Sequence, residues 1–472
     1  MSRMQKAARL CLCAPLLLFG CAPSLPENTD GLTAGDFELI SLNGFDPEDN
    51  AIDKNDYAWA MAYFVPDGQE TGHVYVGTGN DMIGLIYQGI SAVMGMGELG
   101  DISVRPPEIR RYRPDIGSTQ WERVFDYRDV EAEGEFQTIG FRFMTTYRAL
   151  HDGVNYLYAA TMGEEAKLWR TSSGEPGSWE LAWESGSVGS IRWMEIHDGI
   201  LYLALANEVP TGEQIGKIWA TDGHEFWPVM EDGFGNPENT GVMFLASYND
   251  WLYAGTYNTA AGYEIWKLEG PDDSAAPILV VANGGPSSAN EAAITPCVFD
   301  NRLYIGSQLN PYANISRGLK GADIIRINTE DEWEIVVGPD SLTGLDSGFN
   351  NWPNTYIWSM VEHDGWFYVA TYNQVSAFFN VLENLDKVIA AFLPKPGSTT
   401  MRQANFFEII WSAGADMYKT QDGVTWYQVT SNGFGDVGNY GVRTMVSVGD
   451  ELYIGTTNPF DGLEIWRATP TP

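Results

Sequence analysis

Cysteine and histidine are scarce in this sequence. The chain of 472 residues holds 4 Cys and 5 His. Cys297 is the one cysteine that follows Cys21, so no disulfide bond can form within the chain beyond that position. A Cys-x-x-Cys-His motif is also missing, which argues against covalently attached c-type haem. We therefore expect neither disulfide bonds nor a haem group to hold the fold together.

Positive charge is scarce as well. Lys and Arg number 27 against 63 Asp and Glu, which gives a formal net charge of −36. A surface this acidic repels phosphate, so nucleic acid is disfavoured as a partner. No Asp-x-Asp-x-Asp-Gly loop of the EF-hand kind occurs, and we predict no metal site and no cofactor. Binding of calcium through an irregular site is the alternative.

The amino-terminal apolar run is too short to cross a bilayer. It extends from Leu10 to Gly20 and follows three basic residues, Arg3, Lys6 and Arg9. A stable transmembrane helix needs about 20 apolar residues. A basic region followed by a short apolar region is typical of a secretory signal peptide. We predict a signal peptide over residues 1–20.

The predicted signal peptide is followed directly by a cysteine, in the sequence Leu18-Phe19-Gly20-Cys21. This tetrapeptide resembles the lipobox of bacterial lipoproteins, whose cysteine is acylated, with palmitate among the acyl chains, and becomes the first mature residue. The resemblance implies a lipid anchor on Cys21 and, because Ala22 replaces an inner-membrane retention aspartate, a place in the outer membrane of the cell envelope. Residues 21–36 then form a tether. Ordinary secretion is the alternative.

Three kinds of segment recur along the rest of the chain, which indicates a repeat protein. The Leu-Tyr segment resembles Leu-Tyr-x-Gly-Thr and begins at Val74, Leu157, Leu201, Leu252, Leu303, Phe367 and Leu452. The Trp-Arg segment resembles Glu-Ile-Trp-Arg and begins at Glu108, Lys167, Lys217, Glu264, Asp323, Asp416 and Glu464. The outer segment resembles Trp-x-x-Val and begins at Trp121, Trp179, Phe226, Pro277, Trp333 and Trp426. The sequence thus holds seven repeat units.

The outer segment of the seventh unit comes from the opposite end of the chain. Phe37 to Ile40 has the character of that segment, and no repeat of its own precedes it. Pairing it with Glu464 to Arg467 would close a circle of units and remove an open sheet edge. We therefore predict an all-β fold, a seven-bladed β-propeller over residues 37–468 whose N-terminal strand closes the last blade.

Two units carry long insertions, at residues 81–107 and 374–415. Apolar residues at helical spacing, from Phe378 to Leu393, predict an amphipathic helix in the second insertion. Both insertions follow the Leu-Tyr segment of their unit. We therefore expect helical insertions on one face of the molecule.

One turn of the chain resembles a motif of known propellers. Thr420-x-Asp422-Gly423-x-x-Trp426 is similar to the Asp-box of sialidase-like propellers. The resemblance supports the fold, and it implies, as an alternative activity, a hydrolase or lyase acting on an anionic saccharide. That family uses an arginine triad with a tyrosine, a glutamate and an aspartate. The many tyrosines and acidic residues of this chain do not single out such a set, so no catalytic residue is named.

The innermost strand of five units shares a residue-x-Met pattern. The residues that stand two positions before the methionine are Trp59, Arg142, Arg192, Trp358 and Arg443. Met243 and Ile294 occupy this position in the fourth and fifth units. We expect these side chains to surround the central channel near the insertion face. Guanidinium groups offer planar donors to carboxylate or phosphate, which predicts an anionic ligand. The alternative is that the arginines pair with carboxylates of the channel.

Two functions fit these features. The first is a non-catalytic binding or scaffold module for a glycan, a peptide or a partner protein. The second is the sialidase-like hydrolase or lyase, acting in the central pocket. His151, His197 and His363 each precede Asp-Gly, and we interpret them as hairpin residues on the face opposite the insertions. This placement argues against a histidine metal site or a Ser-His-Asp triad.

Overall fold

The computed structural model describes residues 25–41, 43–45, 55–80, 106–116, 120–131, 138–186, 188–207, 214–270, 276–309, 320–379 and 413–469. These ranges form 28 strands, one short α-helix, α1 (Gln374–Phe379), and five 3-10 helices of three residues each. The helix lies at the start of the second predicted insertion. Residues 81–105 and 380–412, which make up most of both insertions, lie outside the described residues, as do the predicted signal peptide and Cys21. No helix within these ranges is long and apolar enough to cross a membrane.

Fourteen of the strands, two from each repeat unit, form seven inner hairpins. The innermost strands are β2 (Tyr57–Phe64), β6 (Thr138–Arg148), β10 (Ser190–His197), β14 (Gly241–Tyr248), β18 (Asn290–Phe299), β22 (Asn354–His363) and β26 (Gly441–Val448). The second strands, which contain the Leu-Tyr segments, are β3 (His73–Gly79), β7 (Asn155–Gly163), β11 (Ile200–Ala206), β15 (Trp251–Tyr257), β19 (Arg302–Leu309), β23 (Trp366–Asn373) and β27 (Glu451–Thr457).

The other fourteen strands lie outside these hairpins. The third strands, from the Trp-Arg segments, are β4 (Glu108–Tyr112), β8 (Lys167–Thr171), β12 (Lys217–Thr221), β16 (Ile265–Leu268), β20 (Ile324–Ile327), β24 (Met417–Thr420) and β28 (Ile465–Ala468). The outer strands are β5 (Trp121–Asp126), β9 (Glu180–Glu184), β13 (Phe226–Met230), β17 (Ile278–Val281), β21 (Trp333–Val337), β25 (Tyr427–Thr430) and β1 (Phe37–Leu39). β1 pairs with β28, so the first and last segments pair as the sequence predicts.

Backbone pairing between neighbouring units overturns the predicted fold class. The second strand of each unit pairs with the innermost strand of the next through one residue pair, as Gly79 does with Gly140. Thr457 pairs with Tyr57 in the same way and closes the circle. The inner strands therefore form a closed antiparallel barrel with fourteen outer strands around it, and the prediction of a seven-bladed β-propeller is wrong. The repeat specifies the strands of each unit, but hydrogen bonds between units depend on how closely the inner strands approach.

Glycines on the second strands allow this close approach. A Cβ atom added at Gly77 would lie 2.6 Å from the Cβ of Phe141 in the next unit. A Cβ atom at Gly306 would lie 2.6 Å from the Cβ of Ile357 in the following unit. Larger residues would push the units apart, because packed interiors have no room for an extra methyl group.

A hydrogen-bonded joint, here called the asparagine joint, holds the loop that enters a unit. Asn354 is the first residue of its innermost strand, and its side-chain amide donates to the carbonyl of Gly348, at 3.0 Å, and to the carboxylate of Asp416, at 2.7 Å. The same joint is made by Asn55, Asn239, Asn290 and Asn439. The joint explains why an acidic residue begins the Trp-Arg segment in these units.

The asparagine joint of the seventh unit is predicted to respond to pH. Burial raises the pKa of Glu464 to about 7, the carboxylate of Asp436 adds to this, and the hydrogen bond from Asn439 opposes it. Because the folded-state pKa lies above the ordinary value of 4.5, the folded state binds the proton more tightly than the unfolded chain does. The stability that this proton contributes is present at low pH and is lost as the pH rises from about 4.5 to about 7.

Glu464→Gln should remove this loss. We expect the difference in Tm between the variant and the natural protein to increase by a few degrees from pH 5 to pH 8, as measured by circular dichroism. Asp436→Asn should give a smaller change of the same sign, because it removes the neighbouring carboxylate that also raises the pKa of Glu464. The fourth unit carries an asparagine, Asn236, at the same position of its joint. A constant difference in Tm across this pH range for Glu464→Gln would contradict the prediction.

Candidate functional site

Each innermost strand contains a β-bulge at the same position. One residue of the strand is skipped in the pairing, because its two neighbours pair with consecutive residues of the second strand. The skipped residues are Trp59, Arg142, Arg192, Met243, Ile294, Trp358 and Arg443. We call them the bulge ring. Bulges redirect side chains and are frequent beside functional sites. All five predicted site residues therefore lie at one level of the barrel.

Two arginines of the bulge ring stack on tryptophans of the ring. The guanidinium carbon of Arg142 lies 4.5 Å from the ring centre of Trp59. The guanidinium carbon of Arg443 lies 5.6 Å from the ring centre of Trp358. In each pair the arginine belongs to the unit that directly follows the unit of the tryptophan. Four neighbouring units, in the circular order six, seven, one and two, therefore contribute one residue each to the two pairs. Arg192 follows in the third unit, and Met243 and Ile294 complete the ring with apolar side chains.

Tyr57 lies between the two Arg–Trp pairs. Its ring centre is 5.8 Å from that of Trp59 and 6.0 Å from that of Trp358. Burial raises the pKa of Tyr57, while the positive charges of Arg142 and Arg443 act against this rise. Both guanidinium groups therefore act on the same phenol. The structure brings together four of the five predicted residues around Tyr57.

Each of the two indole rings packs directly against the backbone of a glycine. Trp59 is 1% exposed, and Trp358 is 5% exposed. A Cβ atom on Gly140 would overlap the Trp59 ring, and one on Gly441 would overlap the Trp358 ring. The absence of side chains at these two positions thus sets the depth of the tryptophans. Because the indoles are held between strands, the guanidinium groups stacked on them are held as well.

The arginines of the ring are buried, with exposures of 7% for Arg142, 3% for Arg192 and 8% for Arg443. Buried carboxylates occur on or directly beside the innermost strands too. Asp56 directly precedes β2 and acts electrostatically on Tyr57, and Glu291 lies in β18. Burying a guanidinium group is costly unless it meets a negative charge. An anionic ligand and neighbouring carboxylates both meet this requirement, and both stay predictions for this site.

The pKa values of the tyrosine hydroxyls near the bulge ring are shifted in the direction opposite to that expected for a nucleophile. A tyrosine that attacks a substrate must lose its proton, which a lowered pKa promotes. Burial instead raises the pKa of Tyr57, and it raises the pKa of the neighbouring Tyr440 as well. The rings of these two tyrosines contact each other, with 5.9 Å between their centres. They are therefore suited to a structural role around the ring.

His151, His197 and His363 lie at the other end of the barrel, the first in a hairpin turn and the other two at strand ends directly before such turns. His197 Nδ1 is 2.9 Å from Ser247 Oγ in the next unit. His363 Nδ1 makes the same 2.9 Å contact with Ser447 Oγ. A contact repeated in two units is a link between units, since a catalytic site would occur once. Among the described residues, no group of three or more His, Cys, Asp or Glu is placed to hold a metal ion.

The aromatic side chains around the ring are missed by the sequence analysis. Tyr57, Tyr440, Tyr356 and Tyr372 cluster with the two tryptophans. Tyr356 and Tyr372 stack at 4.5 Å between ring centres. The available signal is the Tyr-x-Trp sequence at or near the start of the innermost strand in units one and six. The residue-x-Met pattern includes the tryptophan but not the tyrosine two positions earlier.

Comparison with known proteins gives no family for this chain. No protein-family model and no curated protein matches it. A crystal structure of a puromycin hydrolase mutant complexed with PGG is 10% identical, with a TM-score of 0.47, over 91% of this chain and 55% of that chain. A crystal structure of Chaetomium thermophilum Raptor is 12% identical, with a TM-score of 0.42, over 100% of this chain and 31% of that chain. The chain thus spans about half of the first protein and a third of the second. Neither likeness carries an argument about function.

Proposed function

We propose that this protein is an exported, lipid-anchored binding module whose bulge ring receives the anionic group of a glycan, peptide or partner protein. One observation carries the proposal: Arg142 and Arg443 each stack on an indole and both act on Tyr57. The leader sequence and its resemblance to a lipobox support export and anchoring at Cys21, in the outer membrane of the cell envelope.

The stacked geometry suits recognition of a carboxylate or phosphate. The N–H donors of a guanidinium group lie in its own plane, where they can bind two oxygens side by side. Stacking also limits its rotation, so less entropy is lost when the ligand binds. The deep burial of the ring favours a small terminal group, such as a uronic acid or a peptide carboxylate, over the middle of a polymer.

A hydrolase or lyase acting on an anionic saccharide is the less supported alternative. It would need an ionisable nucleophile with an acid–base partner beside the arginines. The tyrosine that both arginines influence has its pKa raised by burial, which opposes this role. Binding without chemistry requires only the donors and the aromatic surface.

A ligand screen tests the proposal. The Cys21→Ser protein, which stays in solution, is titrated by calorimetry with galacturonic acid, sialic acid, short peptides with a free carboxyl end, and inorganic phosphate. We expect at least one anion to bind at least tenfold more tightly than its neutral counterpart, such as galactose or the peptide amide. This affinity should fall as salt is raised from 50 to 500 mM, because salt screens charges. Equal affinity for the neutral counterparts would refute an anionic site, and turnover of the saccharide would favour the hydrolase.

A further inference from the structure

The segment that leads from the proposed anchor to β1, here called the amino-terminal arm (residues 25–36), is bound to the sixth unit. Lys419 Nζ donates to three backbone carbonyls of the arm. The acceptors are Asn28 at 2.9 Å, Asp30 at 2.6 Å and Leu32 at 2.8 Å. An ammonium group has three donors, and all three are used here. The Lys419 side chain is fully buried.

Three further contacts hold the same arm. The backbone N–H of Leu32 donates to the hydroxyl of Tyr368 at 2.9 Å. The backbone N–H of Gln428 donates to the carbonyl of Pro26 at 3.1 Å. Gly31 has a φ of +69° and lies against the indole of Trp366, where a Cβ would come within 2.6 Å of the ring nitrogen. The arm is therefore held from Pro26 to Leu32.

The repeat explains why the sixth unit binds the arm. The third strand carries a cation at the same position in six units, as Arg111, Arg170, Lys267, Arg326, Lys419 and Arg467. In the first and fourth units this cation reaches the turn before the outer strand of the next unit, at Glu175 and Asp331 respectively. The outer strand of the seventh unit is β1, so the arm stands where that turn would be. Lys419 binds it in place of a turn.

The arm lies at the end of the barrel opposite the bulge ring. Trp366, which contacts Gly31, pairs with His363 at the hairpin turn of the sixth unit. The neighbours of the bulge residue Trp358 pair with Ala370 and Thr371 on the same second strand. These positions are four to five residues from Trp366, or about 15 Å along a strand. The arm therefore leaves the molecule from the end that carries the hairpin turns.

We infer that the amino-terminal arm fixes the orientation of the protein on a lipid bilayer, with the hairpin end facing the membrane and the bulge ring facing the aqueous phase. This inference rests on the lipid anchor of the proposed function. Pro26 lies five positions after Cys21, and this stretch spans at most about 18 Å when fully extended. Because Pro26 is held against the sixth unit, the hairpin end cannot move far from the acyl chains, and a ligand would reach the ring from the aqueous side.

Fluorescence quenching from the membrane surface tests this orientation. The full-length lipidated protein, with Cys297→Ser, is placed in phosphatidylethanolamine and phosphatidylglycerol vesicles that carry nitroxide on the lipid headgroups. A fluorophore is attached through Asp450→Cys, in the hairpin turn of the seventh unit, or through Ser431→Cys, in the loop that enters that unit at the ring end. Both residues are exposed. We expect at least threefold stronger quenching at Asp450→Cys. Equal or stronger quenching at Ser431→Cys would overturn the orientation.

Two lysine variants test whether the arm sets this orientation. Lys419→Met removes the three donors to the arm, and the difference in quenching between the two labels should fall below 1.5-fold. Lys267→Met is the matched control, since it removes the same cation from the fourth unit, where the partner is Asp331. The control should keep the full difference. An unchanged difference with Lys419→Met would overturn the role of the arm.

A third variant separates this inference from the proposed anchor. Cys21→Ser should abolish both vesicle binding and quenching at either label. If the natural protein does not bind vesicles, the anchor is refuted, and the orientation with it. If it binds and the ring-end label is quenched more strongly, the anchor stands and the orientation alone is refuted.

Discussion

Replacing Arg142 and Arg443 together by glutamine is expected to lower the affinity for the anionic ligand of the screen at least a hundredfold. A hydrogen bond to a charged group contributes about 1.5–3 kcal/mol, and about 1.4 kcal/mol corresponds to a tenfold change in affinity. Glutamine keeps a polar end but loses the charge, the second donor edge and the attraction to the indole. Calorimetric titration of the variant with the same ligand measures the effect.

Arg148→Gln is the matched control for this experiment. Arg148 lies on the same strand as Arg142, at the opposite end, where it pairs with Asp67 and has 59% of its side chain exposed. An exposed ion pair contributes little, so both affinity and stability should be unchanged. If the double variant melts like the natural protein and still binds the anion, the arginines do not form the site.

Asp416→Ala is expected to lower the free energy of unfolding by about 3–5 kcal/mol, because each buried donor that loses its acceptor costs about 1–3 kcal/mol. Asp416 is 1% exposed, and its carboxylate accepts hydrogen bonds from Asn354 at 2.7 Å, Asn351 at 2.8 Å and Tyr418 at 2.8 Å. Alanine would leave these donors without their acceptor inside the protein. Urea unfolding followed by tryptophan fluorescence measures the loss.

Two further variants define what this loss means. Asp416→Asn keeps the shape and one acceptor oxygen, and we expect it to lose about half as much stability as the alanine variant. Asp450→Ala, at an exposed hairpin turn, should change the free energy of unfolding by less than about 0.5 kcal/mol. A loss below about 1 kcal/mol for Asp416→Ala would show that the asparagine joint does not hold the unit together.

The repeat pattern predicts the strands well because each unit has the same local pattern of apolar residues and turn residues. Aromatic and β-branched residues of the Leu-Tyr segment pack inside, and turn residues separate the segments at regular intervals. The bulge falls at the same register in every innermost strand, so aligning the units also aligns the bulge ring. This is why Trp59, Arg142, Arg192, Trp358 and Arg443 are found at one level from the sequence alone.

Contacts between units are not encoded in any one repeat, and here the predictions are incomplete or wrong. The pairing of Gly79 with Gly140 joins two units into one barrel, and it depends on the distance between inner strands. The approach of Arg142 and Arg443 to Tyr57 depends on residues far apart in the chain. In the sequence Lys419 does not differ from the other cations of the Trp-Arg segment, and only the structure shows that it binds the arm.

The sequence by itself determined the all-β class, the seven units, the return of the first strand to the last, and the residues of the bulge ring. These follow from local periodicity, which each segment carries within itself. Only the tertiary structure decided that the inner strands close into one barrel, that two arginines stack on indoles around Tyr57, and that the arm leaves from the opposite end. The physical reason is that these features are distances between segments, and such distances arise only when all seven units pack together.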